Sequence, residues 1–228
     1  MPFNYEKFIK FLQDNSDIKY LNFHKNLLND DIKLLGVRTP ILKQIAKEIS
    51  KENYLSFIKQ NKHEYYEEII VHGLVIGYLK LPFNEIIPLL NGFLKFNRNW
   101  ATNDVVASSL KIFKKNKEDG FNYILKLLKG KPFDKRFGIV LLLDYYIDEN
   151  YISKIFNLIP NIKDDEYYVK MALAWLISIM YIKFPNETLN FLNQKKIDKW
   201  THNKAIQKII ESNRISVQEK EEIKKLKY

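Results

Sequence analysis

Thr39-Pro-Ile-Leu-Lys-Gln-Ile-Ala-Lys-Glu-Ile-Ser50 sets Ile41, Ile45 and Ile49 at four-residue intervals with charged and polar residues between them. An α-helix turns once every 3.6 residues, so these three side chains fall on one face and predict a helix with one buried stripe. Phe8, Phe11 and Leu12 repeat the pattern near the start of the chain. Further periodic segments are predicted at 52–60, 63–80, 83–96, 101–115, 119–128, 133–147, 151–158, 165–183, 186–194, 202–212 and 216–226, about twelve short helices in all. Pro40, Pro82, Pro132 and Pro185 stand near the starts of predicted helices, where the first turn has no acceptor for the N–H that proline lacks. With seven Gly and seven Pro in 228 residues, and no alternating Val/Thr-rich run bounded by turn dipeptides, little sheet is expected.

The predicted fold is therefore all-α. No Ser/Gly/Pro-rich linker divides the chain, so residues 1–228 read as a single domain. Many short helices joined by short loops stack most economically as a solenoid, since one helix pair cannot bury its apolar face alone. The spacing of the pairs, about 35–45 residues, matches HEAT or armadillo repeats, although no consensus recurs at a fixed period.

The chain carries 37 Lys and Arg against 27 Asp and Glu, a net charge of +10, and its basic field favours polyanions. Only four of those basic residues are Arg: Arg38, Arg98, Arg136 and Arg214. Cysteine is absent, which excludes disulfides, Cys-ligated zinc, iron–sulfur clusters and thiol nucleophiles. The N-terminal residues mix acids and bases and do not read as a secretory signal. The longest nearly apolar stretch, Met171–Ile182, is shorter than the roughly 20 residues a membrane span requires. A soluble, cytoplasmic protein that does not bind membranes is expected.

Asn99-Trp-Ala-Thr-Asn-Asp104 puts Trp100 and Asp104 four positions apart, one turn from each other on one helix face. Core packing of Trp100, with Asp104 as a helix-start residue, accounts for the same spacing. Arg136 follows Trp100 by 36 positions and Trp175 follows Arg136 by 39, intervals close to one repeat. In a solenoid such positions stack along one surface, so the four side chains could line one wall. Rings beside a carboxylate suit a cation, and an arginine suits a phosphate. Equally, Trp175 could be core and Arg136 could pair with Asp104 or Asp144.

Lys43, Lys47, Lys111, Lys114, Lys115, Lys117, Lys126, Lys129, Lys131, Lys135, Lys170 and Lys204 could form a stripe that follows a phosphate backbone, or each could simply be solvated. His24, His63, His72 and His202 lack metal-ligand spacing, so no metal site is expected. Ser108-Ser109 has no nucleophile-elbow context. Gly73 and Gly77, outside any phosphate-binding pattern, read as points of close helix packing.

Leu35-Gly-Val-Arg-Thr-Pro40, Asn99-Trp100 with Asp104, Arg136-Phe137, and Val169-Lys-Met-Ala with Trp175 together resemble the AlkD-type DNA alkylation repair family of HEAT-like repeat glycosylases. The resemblance spans nearly the whole chain. It implies a C-shaped α-solenoid whose concave basic face holds double-stranded DNA and which releases cationic 3- and 7-alkylpurines without extruding the base. Carried onto this sequence, Trp100 and Trp175 match the rings beside the damaged nucleotide, Asp104 the carboxylate that supports hydrolysis and Arg136 the phosphate-binding arginine. Arg38, Lys43, Lys135, Lys170 and Lys204 are the candidate backbone contacts. No metal or organic cofactor is implied, and a monomer is the default.

The chain departs from the family before the glycine motif. Where the family has a helix with an aromatic residue approaching the minor groove, this sequence reads Leu21-Asn-Phe-His-Lys-Asn-Leu-Leu-Asn-Asp-Asp31, with Tyr20 and Phe23 the nearest aromatic substitutes. Asn29-Asp30-Asp31 is expected to interrupt the helix and bring acids toward phosphate oxygens, which weakens binding. Two functions follow: a monofunctional alkylpurine DNA glycosylase, or an AlkD-like module, catalytically weak or inactive, that binds nucleic acid or a protein partner.

Overall fold

In a computed structural model, which describes residues 3–28 and 31–228, Pro40 occupies the second position of a helix running Thr39–Glu52, whose Leu42, Ala46 and Ile49 are buried. The described residues divide into two compact units, Met1–Asn116 and Lys117–Tyr228. In the first unit the order is α1 (Tyr5–Asp14), α2 (Ile18–Lys25), α3 (Thr39–Glu52), α4 (Tyr54–Gln60), α5 (Tyr66–Tyr78), α6 (Phe83–Leu94), α7 (Trp100–Ser109) and α8 (Ile112–Lys115). In the second it is α9 (Lys117–Leu127), α10 (Pro132–Tyr145), α11 (Ile152–Leu158) with a 3₁₀ turn (Ile159–Asn161), α12 (Tyr167–Lys183), α13 (Pro185–Asn193), α14 (Lys199–Glu211) and α15 (Val217–Lys224). Among the described residues the only extended pairings are two isolated bridges, Ser16 with Val37 and Lys33 with Tyr65.

The all-α solenoid reading holds, with fifteen α-helices among the described residues rather than about twelve. Set against the thirteen periodic segments read from the sequence, α2 and α8 are the additional ones. The segment expected as one helix over 101–115 breaks after Ser109, whose hydroxyl turns back to the Val106 carbonyl at 2.7 Å, and Leu110 leaves helical geometry at φ −80°, ψ 61°. Helix α2 ends at Lys25, before the acidic tripeptide. Of that expected interruption, Asn29 and Asp30 lie outside the described residues.

Each unit is built on a row of neighbouring helices. In the first, α3 packs on α5 and α5 on α7; in the second, α10 packs on α12 and α12 on α14. The middle helices carry the cores: α5 is buried continuously from Tyr66 to Ile76, and α12 buries Val169, Ala172, Leu173, Leu176, Ile177 and Met180. Close approach of α5 to α7 depends on glycine, as the sequence suggests. A Cβ on Gly73 would run into the Val106 side chain and come within 2.9 Å of Phe93, and one on Gly77 would run into Ser109.

Local capping sets where the helices start. The Asn4, Asp17, Asn99 and Asp198 side chains accept the backbone N–H of Lys7 (2.8 Å), Tyr20 (3.0 Å), Thr102 (2.9 Å) and Thr201 (3.0 Å), opening α1, α2, α7 and α14.

Candidate DNA-repair site

Asn99 caps α7 so that Trp100 is its first residue, and the next turn on that face is Asp104. Trp100 and Asp104 are half-buried and Ser108 is exposed, so the i, i+4, i+8 stripe is the least buried side of α7. Thr102 and Val106 are buried on the opposite side, and Ala101, Asn103 and Ala107 are buried along its flanks. Trp100 packs against the hydrophobic core of the first unit, and its indole Nε1 donates to the Leu27 carbonyl at 3.3 Å. That bond ties the ring to the segment that follows α2. On α2 itself, Phe23 is 61% exposed, whereas Tyr20 is half-buried beside His24 and beneath the Arg38 guanidinium, 5.2 Å from its ring centroid.

The Leu35-Gly-Val-Arg-Thr-Pro40 motif has a structural cause in this unit. The Glu67 carboxylate accepts the backbone N–H groups of Leu35 (3.0 Å), Gly36 (2.7 Å) and Val37 (3.2 Å). Gly36 sits at φ +82°, and a Cβ there would come within 2.7 Å of Leu21 Cβ and 2.9 Å of the Asp17 carbonyl oxygen, so glycine is required twice over. Burial pushes the Glu67 carboxyl above the usual glutamate range, against the pull of its three N–H donors. The motif fixes the start of α3 and with it Arg38, which pairs with Asp17 through Nη2 at 2.8 Å and Nε at 2.9 Å. Hydrogen bonds from the Tyr20 backbone and then from Arg38 hold Asp17 below the usual carboxylate range.

In the second unit Arg136, on the first turns of α10, is only 4% exposed. Its Nη1 donates to the Tyr168 carbonyl at 2.7 Å and its guanidinium lies 5.9 Å from the Tyr168 ring centroid, so it joins α10 to the first turn of α12. Tyr168, Met171, Trp175, Ile179 and Ile182 form the half-buried stripe of α12. Trp175 therefore lies on a partly solvated face and not in the core, two turns and about 10.5 Å along the axis from Tyr168.

The expected backbone-contact cations divide sharply. Lys43 is exposed on α3. Lys135 pairs with Asp164 at 2.8 Å and also donates to the Lys163 carbonyl. Lys170 lies 3.4 Å from Asp198 and 3.9 Å from Asp165, and Lys204 hydrogen-bonds Gln207 at 2.7 Å. Burial raises the Asp164 carboxyl, but the Lys135 hydrogen bond and the Glu166 N–H outweigh it and hold the group low. Asp198 is likewise held low, with burial overcome by Thr201 and Lys170.

The sequence reading passed over a set of rings beside these cations. Tyr167 and Trp200 are exposed at the first turns of α12 and α14, with centroids 5.7 Å apart. The adjacent pair Tyr167-Tyr168 and the third tryptophan of the chain were the available signals. Among the described residues no group of three or more His, Asp or Glu is placed to hold a metal ion, and no helix is long and apolar enough to cross a membrane.

Comparison with known families gives one match: the model of a family described as DNA alkylation repair enzyme covers residues 8–209. No curated protein matches the chain significantly.

Proposed function

The chain belongs to the DNA alkylation repair enzyme family, and on that premise we propose that it is a monofunctional glycosylase releasing cationic 3- and 7-alkylpurines from double-stranded DNA. The observation that carries this reading is the Trp100–Asp104 pair, a ring and a carboxylate one turn apart on the least buried stripe of α7. An alkylated purine is already a cationic leaving group, so the step needs no general acid. The bond between C1′ and the purine nitrogen breaks with its electron pair going to the base, which leaves neutral. Water then adds its oxygen to C1′ and loses a proton to solvent. The developing oxocarbenium charge is what the Asp104 carboxylate and the π-face of Trp100 stabilise, and Trp175 is assigned its ring contact by the family resemblance alone. The family resemblance assigns Arg136 the phosphate contact; at 4% exposure and with Nη1 given to the Tyr168 carbonyl, it must give up internal contacts to reach a phosphate. The exposed Phe23 on α2 is the aromatic residue available to approach the duplex from the segment that departs from the family pattern.

The test is single-turnover release of 7-methylguanine from duplex DNA by the wild-type chain and by Asp104→Asn. A fall of about 10²–10³ in rate is expected in the variant, the usual effect of removing one electrostatic stabiliser. Equal rates, or no release by the wild type, would remove the hydrolytic reading.

A second reading, a weak or inactive module that binds nucleic acid or a protein, is favoured by one specific observation. Arg38, Lys135 and Lys170 each already hold a carboxylate, so each must exchange an internal partner for a phosphate and gains less from doing so. Duplex affinity at two salt concentrations separates the readings: a shallow salt slope together with no base release supports the module.

A further inference from the structure

Four aromatic rings run across the first turns of three successive row helices in the second unit. Phe133 on α10 lies 5.7 Å from Tyr168, Tyr168 lies 5.3 Å from Tyr167, and Tyr167 lies 5.7 Å from Trp200 on α14. The interplanar angles are 34°, 79° and 66°, so none of these contacts is a parallel stack; Lys170 and Lys204 lie over the Trp200 ring, and the ring face open to another planar group is that of Tyr167, the most exposed of the four. The ladder opens toward solvent at one end: Phe133 and Tyr168 are half-buried, whereas Tyr167 is 54% and Trp200 37% exposed. Large rings so exposed and adjacent are unusual on a soluble surface unless something covers them.

The charges around the ladder indicate what that is. Lys170 and Lys204 each place an ammonium 5.6 Å from the Trp200 ring centroid, and the Arg136 guanidinium lies beside Tyr168. Of the neighbouring carboxylates, Asp164 is bound by Lys135 and Asp198 by Lys170 while also capping α14, which leaves Asp165 and Glu166 as the outward acids. A purely apolar partner would strand these cations, and a phosphate chain alone would make no use of the rings. A strand of unpaired nucleotides uses both, stacking bases on aromatic faces while its phosphates meet chiefly Lys204, whose partner is the neutral Gln207, and compete with Asp198 for Lys170. In a paired duplex the base faces are occupied by their neighbours in the stack.

We propose that the Tyr167–Trp200 ladder, flanked by Lys170 and Lys204, is a stacking site for single-stranded DNA, separate from the glycosidic step. It gives the chain a hold on unpaired nucleotides that does not depend on an alkylated base. Because stacking is indifferent to base identity, the site should be sequence-tolerant, while its phosphate contacts make binding weaken as salt rises.

The test is fluorescence anisotropy of the full chain with labelled (dT)12 and with a duplex of the same length. Alanine substitution of both Tyr167 and Trp200 is expected to weaken (dT)12 binding by about tenfold to a hundredfold, the loss of one or two base stacks, and to change duplex binding by less than about threefold. The pair of conservative changes Tyr167→Phe and Trp200→Phe should keep (dT)12 affinity within about threefold of wild type, because the rings remain. Should the double alanine chain fail to fold, Tyr167→Ala alone, at the more exposed ring, serves with an expected loss of about tenfold. Intrinsic fluorescence gives an independent reading, since quenching by (dT)12 should shrink in Trp200→Phe. Unchanged (dT)12 affinity on loss of the rings, an equal loss for duplex and single strand, or no binding of (dT)12 by the wild type would each overturn the proposal. None of these results bears on base release, so the glycosylase reading stands or falls separately.

Discussion

Helix α5 and helix α12 each occupy the middle of a row, yet they are made of different material. Helix α5 buries Glu67, Glu68, His72 and Gly73 along with its aliphatic residues, and from Tyr66 to Ile76 it shows no solvated stripe. Helix α12 buries aliphatic side chains together with Ser178 and Tyr181, and it keeps the half-buried stripe that carries Tyr168 and Trp175. The polar groups of α5 are spent on neighbours. Glu67 gathers the 35–37 backbone, the Glu68 carboxylate accepts the N–H of Glu64 and of Tyr65 (both 2.8 Å), and His72 meets His63 at 2.9 Å. One helix organises the loops around it, while the other presents side chains outward. Buried polarity of the first kind is costly unless every partner is in place.

The largest effect expected from this difference is at Glu67. Replacement by leucine leaves three backbone N–H groups of the 35–37 turn without their acceptor and should cost about 3–5 kcal/mol, measurable by denaturant unfolding with loss of exchange protection concentrated in residues 1–116. A cost below about 1 kcal/mol would show that water replaces the carboxylate easily and would break the contrast with α12.

A smaller effect is expected where α5 approaches α7. Gly73→Ala drives a methyl group into Val106 and toward Phe93 and should lower stability by about 1–3 kcal/mol, the usual range for overpacking. A neutral result would mean that α7 shifts to make room, which a change in Trp100 fluorescence would reveal.

The mildest test is acid. Burial lowers the pKa of His63 to about 4 and that of His72 to about 3, and it also lowers His24. The unfolded chain takes up these protons from about 6.5 downward whereas the folded chain refuses them. The imidazole contribution of the first unit is therefore full above that pH and falls as pH drops toward 4, opposed in part by the raised Glu67 carboxyl, which takes up its proton in the folded state first. In the second unit one imidazole, His202, is depressed in the same way, and the low carboxylates Asp164 and Asp198 lose their contribution only below the usual aspartate range. Amide exchange corrected for intrinsic rates should show residues 1–116 weakening first between pH 6.5 and 4. Equal weakening of both units would assign the imidazole cost elsewhere.

Much of this was legible in the sequence, and the reason differs from feature to feature. The 39–52 helix follows from the spacing of its isoleucines and from Pro40, both local. The close-packing role of Gly73 and Gly77 was readable as well, because a glycine inside an apolar helix leaves few other uses. The Trp100–Asp104 stripe was readable for the same local reason. Trp175 was ambiguous, since an apolar run looks the same whether a ring faces in or out. The break at Ser109 and the short helix α2 were missed because a side-chain hydroxyl and two caps, not periodicity, set those boundaries.

The sequence by itself determined that the chain is helical, where most helices begin, that it carries excess positive charge and that it has the residue pattern of a DNA alkylation repair enzyme. These depend on periodicity, capping and composition, which act over a few residues. Tertiary structure alone decided that Glu67 closes on a turn some 30 residues earlier, that Arg136 meets the Tyr168 carbonyl 32 residues later, and that Lys135 and Lys170 are held by aspartates. It also decided that Tyr167 and Trp200 share one exposed ladder. Hydrogen bonds and ring contacts act over a few ångströms of space, so which residues they join depends on how helices distant in the chain come to pack.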